Sequence, residues 1–256
     1  MKGLFIGINY FDTECELKGC INDINTISQL YKKLYGLTNI LILTDDQSNP
    51  NKLPTKTNIL SGIDWLVSNN KLGEQLFFHY SGHRSYIIDV SGDESDGKDE
   101  CIIPCDYNIN GYIIDDDLHA KLVNKIESAY LFAVMDNCHS GTVLDLNYSC
   151  KADGSVRKIT SNYTPYPSLN VVLLSGCADN QTSADTVEKI NNKSVSCGAL
   201  SWALYYTLGM NSEVTYRDLI TGVRDLLAKS KYEQIPQISF NAFPTLNERV
   251  IRGDRK

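Results

Sequence analysis

Two short motifs contain residue types that serve nucleophilic catalysis. The run His-Tyr-Ser-Gly-His at 79–83 ends in His83, and the run Asp-Asn-Cys-His-Ser-Gly-Thr at 136–142 contains Cys138. A thiolate is a strong nucleophile, and a neighbouring imidazolium both lowers the pKa of the thiol and protonates the leaving amine. The motifs therefore predict a Cys–His dyad. The backbone N–H groups of Gly82 and Cys138 are candidates for an oxyanion hole, because glycine lets the backbone approach a developing charge.

Each of these side chains also has a plainer interpretation. A cysteine taken alone is more often a buried, inert thiol than a nucleophile, and His83 taken alone fits a hydrogen-bonded surface residue. A zinc site at Cys101 and Cys105 is disfavoured, because the chain has no Cys-x-x-Cys pair and no histidine at zinc-finger spacing.

The elements that must position the dyad alternate between two patterns. Apolar runs that predict buried strands lie at 4–8, 38–44, 75–80, 129–135, 171–174 and 237–240. Helical periodicity predicts helices at 24–34, 57–67, 115–126, 198–208 and 216–228. This alternation predicts an α/β fold with a mostly parallel central sheet and helices on both faces. Both motifs follow predicted strands, so we expect them at one rim of the sheet, where such folds bind ligands.

Two long polar segments interrupt this alternation, at 81–111 and 147–168. Long loops in compact domains are usually functional or disordered. We predict a single domain over 1–256, with a larger part at 1–146 that contains the dyad, a linker at 147–168 and a smaller part at 169–256.

Composition excludes several classes of protein. The chain has 256 residues, a formal net charge of −7 and eight cysteines. It has no basic stripe, which argues against nucleic acid as a partner. Its longest apolar runs are shorter than the roughly 18 residues of a membrane span, and its N-terminal run is too short for a signal peptide. We therefore predict a cytoplasmic protein with free thiols and no membrane partner.

With these motifs in place, the sequence resembles the metacaspases, a family of caspase-like cysteine peptidases. Both motifs match the family patterns whole, at a separation typical of caspase-like enzymes. Further segments similar to family motifs lie at 17–23, 175–185 and 234–239. The resemblance implies a caspase-like fold and cleavage of peptides or proteins after Arg or Lys through an acyl-enzyme intermediate. The chain is similar to a bare type I core without a prodomain.

The resemblance also implies a pocket for the basic side chain of the substrate. The family's pocket positions correspond here to Cys20, Asp23, Ser81 and Asp136. Two carboxylates in one pocket select a cation, and arginine is favoured by its bidentate geometry. The alternative for Asp23 is an acidic residue that interacts with the dipole of a helix N-terminus.

Four further aspartates match positions at which metacaspases often bind calcium. They are Asp99, Asp115, Asp116 and Asp145. Calcium takes six to eight oxygen ligands, which such carboxylates supply together with carbonyls and waters. We expect Ca²⁺ to activate the enzyme by ordering the 81–111 segment. The alternative is a solvated acidic loop beside an acidic helix N-terminus.

One position departs from the family pattern, because Arg84 stands where glycine usually follows the histidine. Two hypotheses follow: the arginine disturbs a backbone that needs a positive φ, or its cation competes for the acidic pocket.

Candidate self-cleavage sites are Lys151, Arg157 and Lys158 in the exposed linker. We expect a monomer. The competing functions are a caspase-like scaffold with little or no proteolysis and a redox-responsive thiol protein.

Overall fold

The computed structural model describes residues 1–88, 98–137, 144–150, 155–158, 170–176, 185–190, 193–242 and 246–251. The strands are β1 (Lys2–Gly7), β2 (Asn39–Thr44), β3 (Gln75–Ser81), β4 (Arg84–Ile88), β5 (Lys98–Ile102), β6 (Ile113–Ile114), β7 (Tyr130–Asp136), β8 (Tyr148–Cys150), β9 (Val156–Lys158), β10 (Val171–Ser175), β11 (Asp185–Ile190), β12 (Lys193–Gly198) and β13 (Gln237–Phe240). The helices are α1 (Cys20–Tyr35), α2 (Lys56–Val67), α3 (Tyr107–Asn110), α4 (Asp115–Leu118), α5 (Ala199–Met210) and α6 (Tyr216–Lys229).

The main sheet has the strand order β2-β1-β3-β7-β10-β13-β8-β9. Its first five strands pair in parallel, and β13, β8 and β9 continue the sheet in antiparallel pairs. The predicted α/β fold with a mostly parallel central sheet is therefore confirmed. No helix among the described residues combines the length and apolar character needed to cross a bilayer.

Two hydrophobic clusters cover the two faces of the main sheet. Phe5, Phe77 and Phe132 face one cluster, which includes α1, α5 and α6. The alternate strand residues, such as Leu76 and Leu131, face the other cluster, which includes α2. Each fully buried side chain of this size contributes about 1.5–3 kcal/mol through the hydrophobic effect. Both faces are apolar because a parallel sheet is covered on both sides.

Helix α1 carries two of the predicted pocket residues at its first turn. It begins at Cys20 and ends where Gly36 adopts a left-handed φ of 68°, a conformation that glycine reaches without strain. Its buried face includes Ile24 and Ile27, which pack on the sheet. This packing fixes the first turn of α1, and with it Asp23, at the carboxyl edge of the strands.

Several short strands were not predicted from the sequence. A small sheet has the order β4-β5-β6, and β11 pairs with β12 as a separate hairpin. Strands β8 and β9 lie within the segment predicted as a linker. The helix predicted over 115–126 is shorter, because α4 ends at Leu118 and a π turn follows at His119–Val123. The short strands β4, β5, β6, β8, β9, β11 and β12 lack long apolar runs, so a sequence pattern does not reveal them.

Candidate active site

The two motifs predicted to contain the dyad lie at the ends of adjacent parallel strands. Strands β3 and β7 pair in register, with Ser81 opposite Asp136. His83 and Cys138 each come two residues after this pair in the sequence. His83 is described by the structure, whereas Cys138 lies outside the described residues. Up to Asn137, the last described residue of the second motif, the two motifs lie at the same rim of the sheet, as predicted.

His83 is held at its ring and at its backbone. Its Nε2 lies 2.6 Å from the backbone oxygen of Cys15. A carbonyl oxygen only accepts, so Nε2 carries the proton, and Nδ1 is the nitrogen that can exchange a proton with a thiol. The ring packs on that of Tyr10, with centroids 4.7 Å apart. The backbone N–H donates to the Tyr10 hydroxyl at 2.9 Å, and the backbone oxygen accepts from the Tyr80 hydroxyl at 2.7 Å.

Gly82 lies against these two hydroxyls. A Cβ atom at Gly82 would be 2.7 Å from the Tyr80 oxygen and 3.0 Å from the Tyr10 oxygen. Any larger residue would therefore displace the groups that hold His83. The role of the Gly82 N–H group in an oxyanion hole stays a prediction.

The predicted pocket residues are all buried, and hydrogen bonds connect two of them directly. The Ser81 hydroxyl donates to Oδ2 of Asp23 at 2.7 Å. The backbone N–H of Gly198 also donates to the Asp23 carboxylate, at 2.9 and 3.1 Å. Asp136 accepts from the backbone N–H of Ser201 at 2.8 Å. Asp23 and Asp136 are only 1% and 5% exposed, so these donors provide much of the hydrogen bonding that water would otherwise supply.

Gly198 joins the two carboxylates, and sequence reasoning missed it. It is the last residue of β12 and directly precedes α5. A Cβ atom at this position would lie 2.1 Å from Oδ2 of Asp136. Its own N–H binds Asp23. The only local signal was a glycine before a helical pattern, which does not reveal a partner 175 residues away.

Cys197 precedes this glycine and is buried. Burial raises the pKa of its thiol to about 12, and the charges of Asp23 and Asp136 add to the shift. Cys197 is therefore a neutral, unreactive thiol beside the pocket.

The first histidine of the His-Tyr-Ser-Gly-His motif is buried and contacts α5. The Nε2 atom of His79 lies 3.1 Å from the Ser201 hydroxyl. Burial lowers the pKa of His79 to about 3, so its imidazole is neutral at ordinary pH. His79 thus contacts the first turn of α5, whose Ser201 N–H binds Asp136.

The predicted calcium residues lie around β5 and α4. Asp99 and Asp115 are buried, and the Asp115 carboxylate accepts the N–H groups of Glu100 and Asp116 at 2.8 and 3.0 Å. The pKa of Asp115 is raised to about 6. Burial is the largest cause, and the charges of Asp99 and Asp116 also raise the pKa, whereas the two N–H donors lower it. The structure therefore brings Asp99 and Asp116 within electrostatic range of Asp115.

Asp145 approaches this region through its neighbour in the chain. His119 follows α4, and its Nδ1 lies 2.9 Å from the backbone oxygen of Leu144. Asp145 itself has a φ of 45°, which is uncommon for a residue with a side chain. Across the described ranges, no three acidic, histidine or cysteine side chains converge as a metal-binding group.

Arg84 lies in a strand and forms a buried ion pair. It begins β4, and its φ is not among the positive values found in the described residues, so the arginine itself does not adopt a left-handed conformation. The hypothesis that it disturbs a turn that needs a positive φ stays a prediction. Its side chain is 2% exposed, and its guanidinium pairs with the Glu100 carboxylate on β5. The cation that was expected to compete for the acidic pocket is thus bound by an acid of the neighbouring strand.

The candidate self-cleavage residues are only partly described. Arg157 and Lys158 are exposed residues of β9, the outermost strand of the main sheet. Arg157 is paired with Ser149 of β8, so cleavage here requires the strand to leave the sheet. Lys151 lies outside the described residues.

Comparison with known proteins yields both a family and a fold. A family model described as the metacaspase peptidase C14 domain matches residues 1–147. The chain is 37% identical to Metacaspase-1 of Meyerozyma guilliermondii, over 98% of this chain and 72% of that protein. It is 36% identical to Metacaspase-1 of Eremothecium gossypii, over 93% and 63% of the two chains, and 37% identical to Metacaspase-1 of Schizosaccharomyces pombe, over 93% and 66%.

A crystal structure of protein GSU0716 from Geobacter sulfurreducens has a similar fold. The TM-score is 0.70, with 22% sequence identity, and the match covers 98% of both chains. At this identity the similarity concerns the fold alone.

Proposed function

The chain belongs to the metacaspase family and carries its cysteine peptidase domain, and we propose that it is a calcium-activated endopeptidase that cleaves after Arg or Lys. The observation that carries the specificity is the pair of buried carboxylates, Asp23 and Asp136, on either side of Gly198. A buried pair of negative charges beside the catalytic motifs favours a substrate with a cationic side chain.

In the proposed reaction, the Cys138 thiolate attacks the carbonyl carbon of the peptide bond. The backbone N–H groups of Gly82 and Cys138 bind the oxyanion of the tetrahedral intermediate. His83 then transfers a proton from Nδ1 to the leaving amine, and a thioester remains on Cys138. Water releases the acid product with His83 as base. The Cys15 carbonyl supports this role, because its hydrogen bond with Nε2 orients the ring and stabilises the imidazolium.

Calcium activation is proposed to involve Asp99, Asp115, Asp116 and Asp145, because these aspartates match positions at which metacaspases often bind calcium. A bound Ca²⁺ supplies positive charge and oxygen coordination that compensate repulsion among carboxylates. The raised pKa of Asp115 is compatible with this, because burial disfavours its charged form, the charges of Asp99 and Asp116 add to that effect, and a bound cation would oppose it. Strand β5, which contains Asp99, ends at Ile102, and the backbone N–H of Ile103 lies 3.3 Å from the His83 oxygen. Asp99 is thus linked to His83 through the chain from Asp99 to Ile103 and the hydrogen bond between Ile103 and His83.

We also propose a monomeric, cytoplasmic protein. Support for the monomer comes from β13, which pairs with β10 on one side and with β8 on the other. Its edge is therefore not open for pairing with a second copy, whereas true caspases dimerise through their last strand.

Self-processing near Arg157 or Lys158 is a further proposal. The finding that the native and Cys138→Ala proteins both keep their own full-length masses after incubation with calcium would contradict it.

The primary test measures fluorophore release from a short peptide ending in Arg, with and without millimolar calcium. We expect calcium-dependent cleavage that falls by more than about 1,000-fold in Cys138→Ala and in His83→Ala, because each removes half of the dyad. Cys105→Ser, which changes another thiol, is the matched control and should retain activity. Absence of cleavage after Arg or Lys at every calcium concentration would contradict the proposal.

The calcium site has its own test. Asp145→Ala should lower the calcium response, and Asp115→Asn should weaken Ca²⁺ binding in calorimetric titration of the catalytically inactive Cys138→Ala protein. The control is Asp117→Asn, which changes an exposed acid of the same helix. Full calcium stimulation in Asp145→Ala would count against the proposed ligand set.

A further inference from the structure

A pair of buried tyrosine hydroxyls lies directly behind His83. Tyr10 follows β1, Tyr80 belongs to β3, and their hydroxyl oxygens are 3.1 Å apart. We propose that this hydroxyl pair is a positioning device that fixes the backbone of His83 and thereby sets the geometry of proton transfer. The inference rests on the proposed role of His83 as the acid–base residue.

The hydrogen bonds of the pair connect His83 with Ile103. The Tyr10 hydroxyl donates to the Ile103 oxygen at 2.7 Å and accepts the His83 N–H at 2.9 Å. The Tyr80 hydroxyl donates to the His83 oxygen at 2.7 Å, and the Ile103 N–H is shared between the His83 oxygen at 3.3 Å and the Tyr80 hydroxyl at 3.4 Å. Each hydroxyl thus uses its single hydrogen on one carbonyl and accepts one N–H. Together they engage both main-chain polar groups of His83 and both of Ile103.

These hydrogens are retained over the whole working pH range. Burial raises the pKa of Tyr10 well above its usual value, and burial likewise raises the pKa of Tyr80. Both side chains therefore remain neutral donors wherever the peptidase is active. The contact geometry, and not a change of protonation, is what they contribute.

The local conformation indicates that this geometry is specifically maintained. Tyr10 has a φ of 54°, in the left-handed region that residues with side chains seldom adopt. Its ring packs on the imidazole of His83, so the same residue contacts both the ring and the backbone N–H. Gly82 leaves just enough room, since its missing Cβ would lie 2.7 Å from the Tyr80 oxygen. Such features gather where the position of a functional side chain is constrained.

The test uses Tyr10→Phe and Tyr80→Phe, which keep the rings and remove the hydroxyls. A small displacement of a catalytic group costs on the order of 10- to 100-fold in rate. We therefore expect kcat on an Arg peptide to fall by about that factor. The value of KM should stay within about twofold, because the Asp23 and Asp136 contacts are untouched. The ratio of activities on Arg and Lys peptides should also be unchanged.

The matched control is Tyr35→Phe. Its hydroxyl donates to the backbone oxygen of Ser212 at 3.2 Å, within the cluster that packs α1 on the sheet. This variant also loses a bond from a tyrosine to a carbonyl, so its Tm should fall without a change in kcat. A fall in Tm with unchanged kcat in both Tyr10→Phe and Tyr80→Phe would overturn the proposal, and so would loss of the native fold in both.

A double variant separates this inference from the assignment of His83. If Tyr80 acts through His83, Tyr80→Phe should cause no further loss in the His83→Ala background, because effects on one catalytic unit are not additive. An equal fold-loss with and without His83 would overturn the positioning role. Full activity of His83→Ala would instead contradict the proposed dyad itself.

Discussion

Two pairs of buried acids, Asp23 with Asp136 and Asp99 with Asp115, differ in where their hydrogen-bond donors come from. The first pair receives the N–H groups of Gly198 and Ser201, which lie far away in the sequence. Asp115 receives N–H groups from its own helix and from the neighbouring strand, and its pKa is still raised to about 6.

The difference teaches that burial alone does not define the role of an acidic pair. The first pair accepts hydrogen bonds from the junction between β12 and α5, so its oxygens have fixed positions, which suits the arginine specificity proposed above. The second pair lies on β5 and at the start of α4, with Asp116 as an acidic neighbour, where added positive charge would relieve repulsion. The family model ends at residue 147, so the backbone N–H donors of the first pair, at Gly198 and Ser201, come from outside the matched region.

The largest effect should follow from Asp136→Asn, which keeps an oxygen for Ser201 and removes the charge. We expect kcat/KM on Arg and Lys peptides to fall by about 100- to 1,000-fold, as when one partner of a buried charged pair is lost. Asp64→Asn is the control, because Asp64 forms an exposed ion pair with Lys121 and should change little. Retained cleavage after Arg in Asp136→Asn would place the specificity elsewhere.

A smaller loss should follow from Gly198→Ala. The new Cβ would lie 2.1 Å from Oδ2 of Asp136, so the carboxylate must move, and we expect about a 10- to 100-fold loss of kcat/KM. Gly209→Ala adds the same methyl group in α5, where nothing lies within 4 Å, and should raise stability by about 0.5–1 kcal/mol. Equal activity in the two variants would show that the junction tolerates a side chain.

The second acidic region contains its own buried cation, Arg84, and breaking that ion pair should affect stability more than specificity. Arg84→Met leaves the Glu100 carboxylate, which is only 15% exposed, without this partner. We expect unfolding in denaturant to require about 2 kcal/mol less free energy. The double variant Arg84→Met/Glu100→Leu should recover most of that loss, because no unpaired charge remains. An increase in activity in Arg84→Gly would revive the inhibitory interpretation of this arginine.

The smallest effect concerns His79 and depends on pH. Its pKa is about 3 in the folded protein and about 6.5 in an unfolded chain. Between these values the unfolded state binds the additional proton, so stability falls as the pH decreases. His79→Gln removes this contribution. The stability difference between the native protein and the variant should therefore shift by about 2 kcal/mol in favour of the variant from pH 7 to pH 5. A difference that does not change with pH would contradict the neutral, buried imidazole.

The parts that sequence predicted well have strong local signals. Strands β1, β3, β7 and β10 are near-continuous apolar runs, and parallel strands buried on both faces have that composition. The pocket acids and His83 were proposed from family motifs, and their roles stay predictions.

The parts that sequence missed depend on contacts between distant segments. Gly198 matters because of Asp23 and Asp136, and the strands of the β4-β5-β6 sheet form only through pairing with one another. The partners of His83 are main-chain atoms and tyrosine hydroxyls. Main-chain atoms and tyrosine hydroxyls leave no spacing pattern in the sequence that would connect them with His83.

The contact between His83 and the Cys15 carbonyl has a consequence for how this chain can vary. Every amino acid carries a backbone oxygen, so position 15 can change its side chain freely while the hydrogen bond to Nε2 persists. The constraint falls instead on the path of the surrounding loop, which is shaped by the bond from the Thr13 hydroxyl to the Tyr10 oxygen and by the φ of 60° at Asp12. Comparing side chains among relatives will therefore reveal no third catalytic residue here. Insertions or deletions between Tyr10 and Cys20 should be the changes that selection removes.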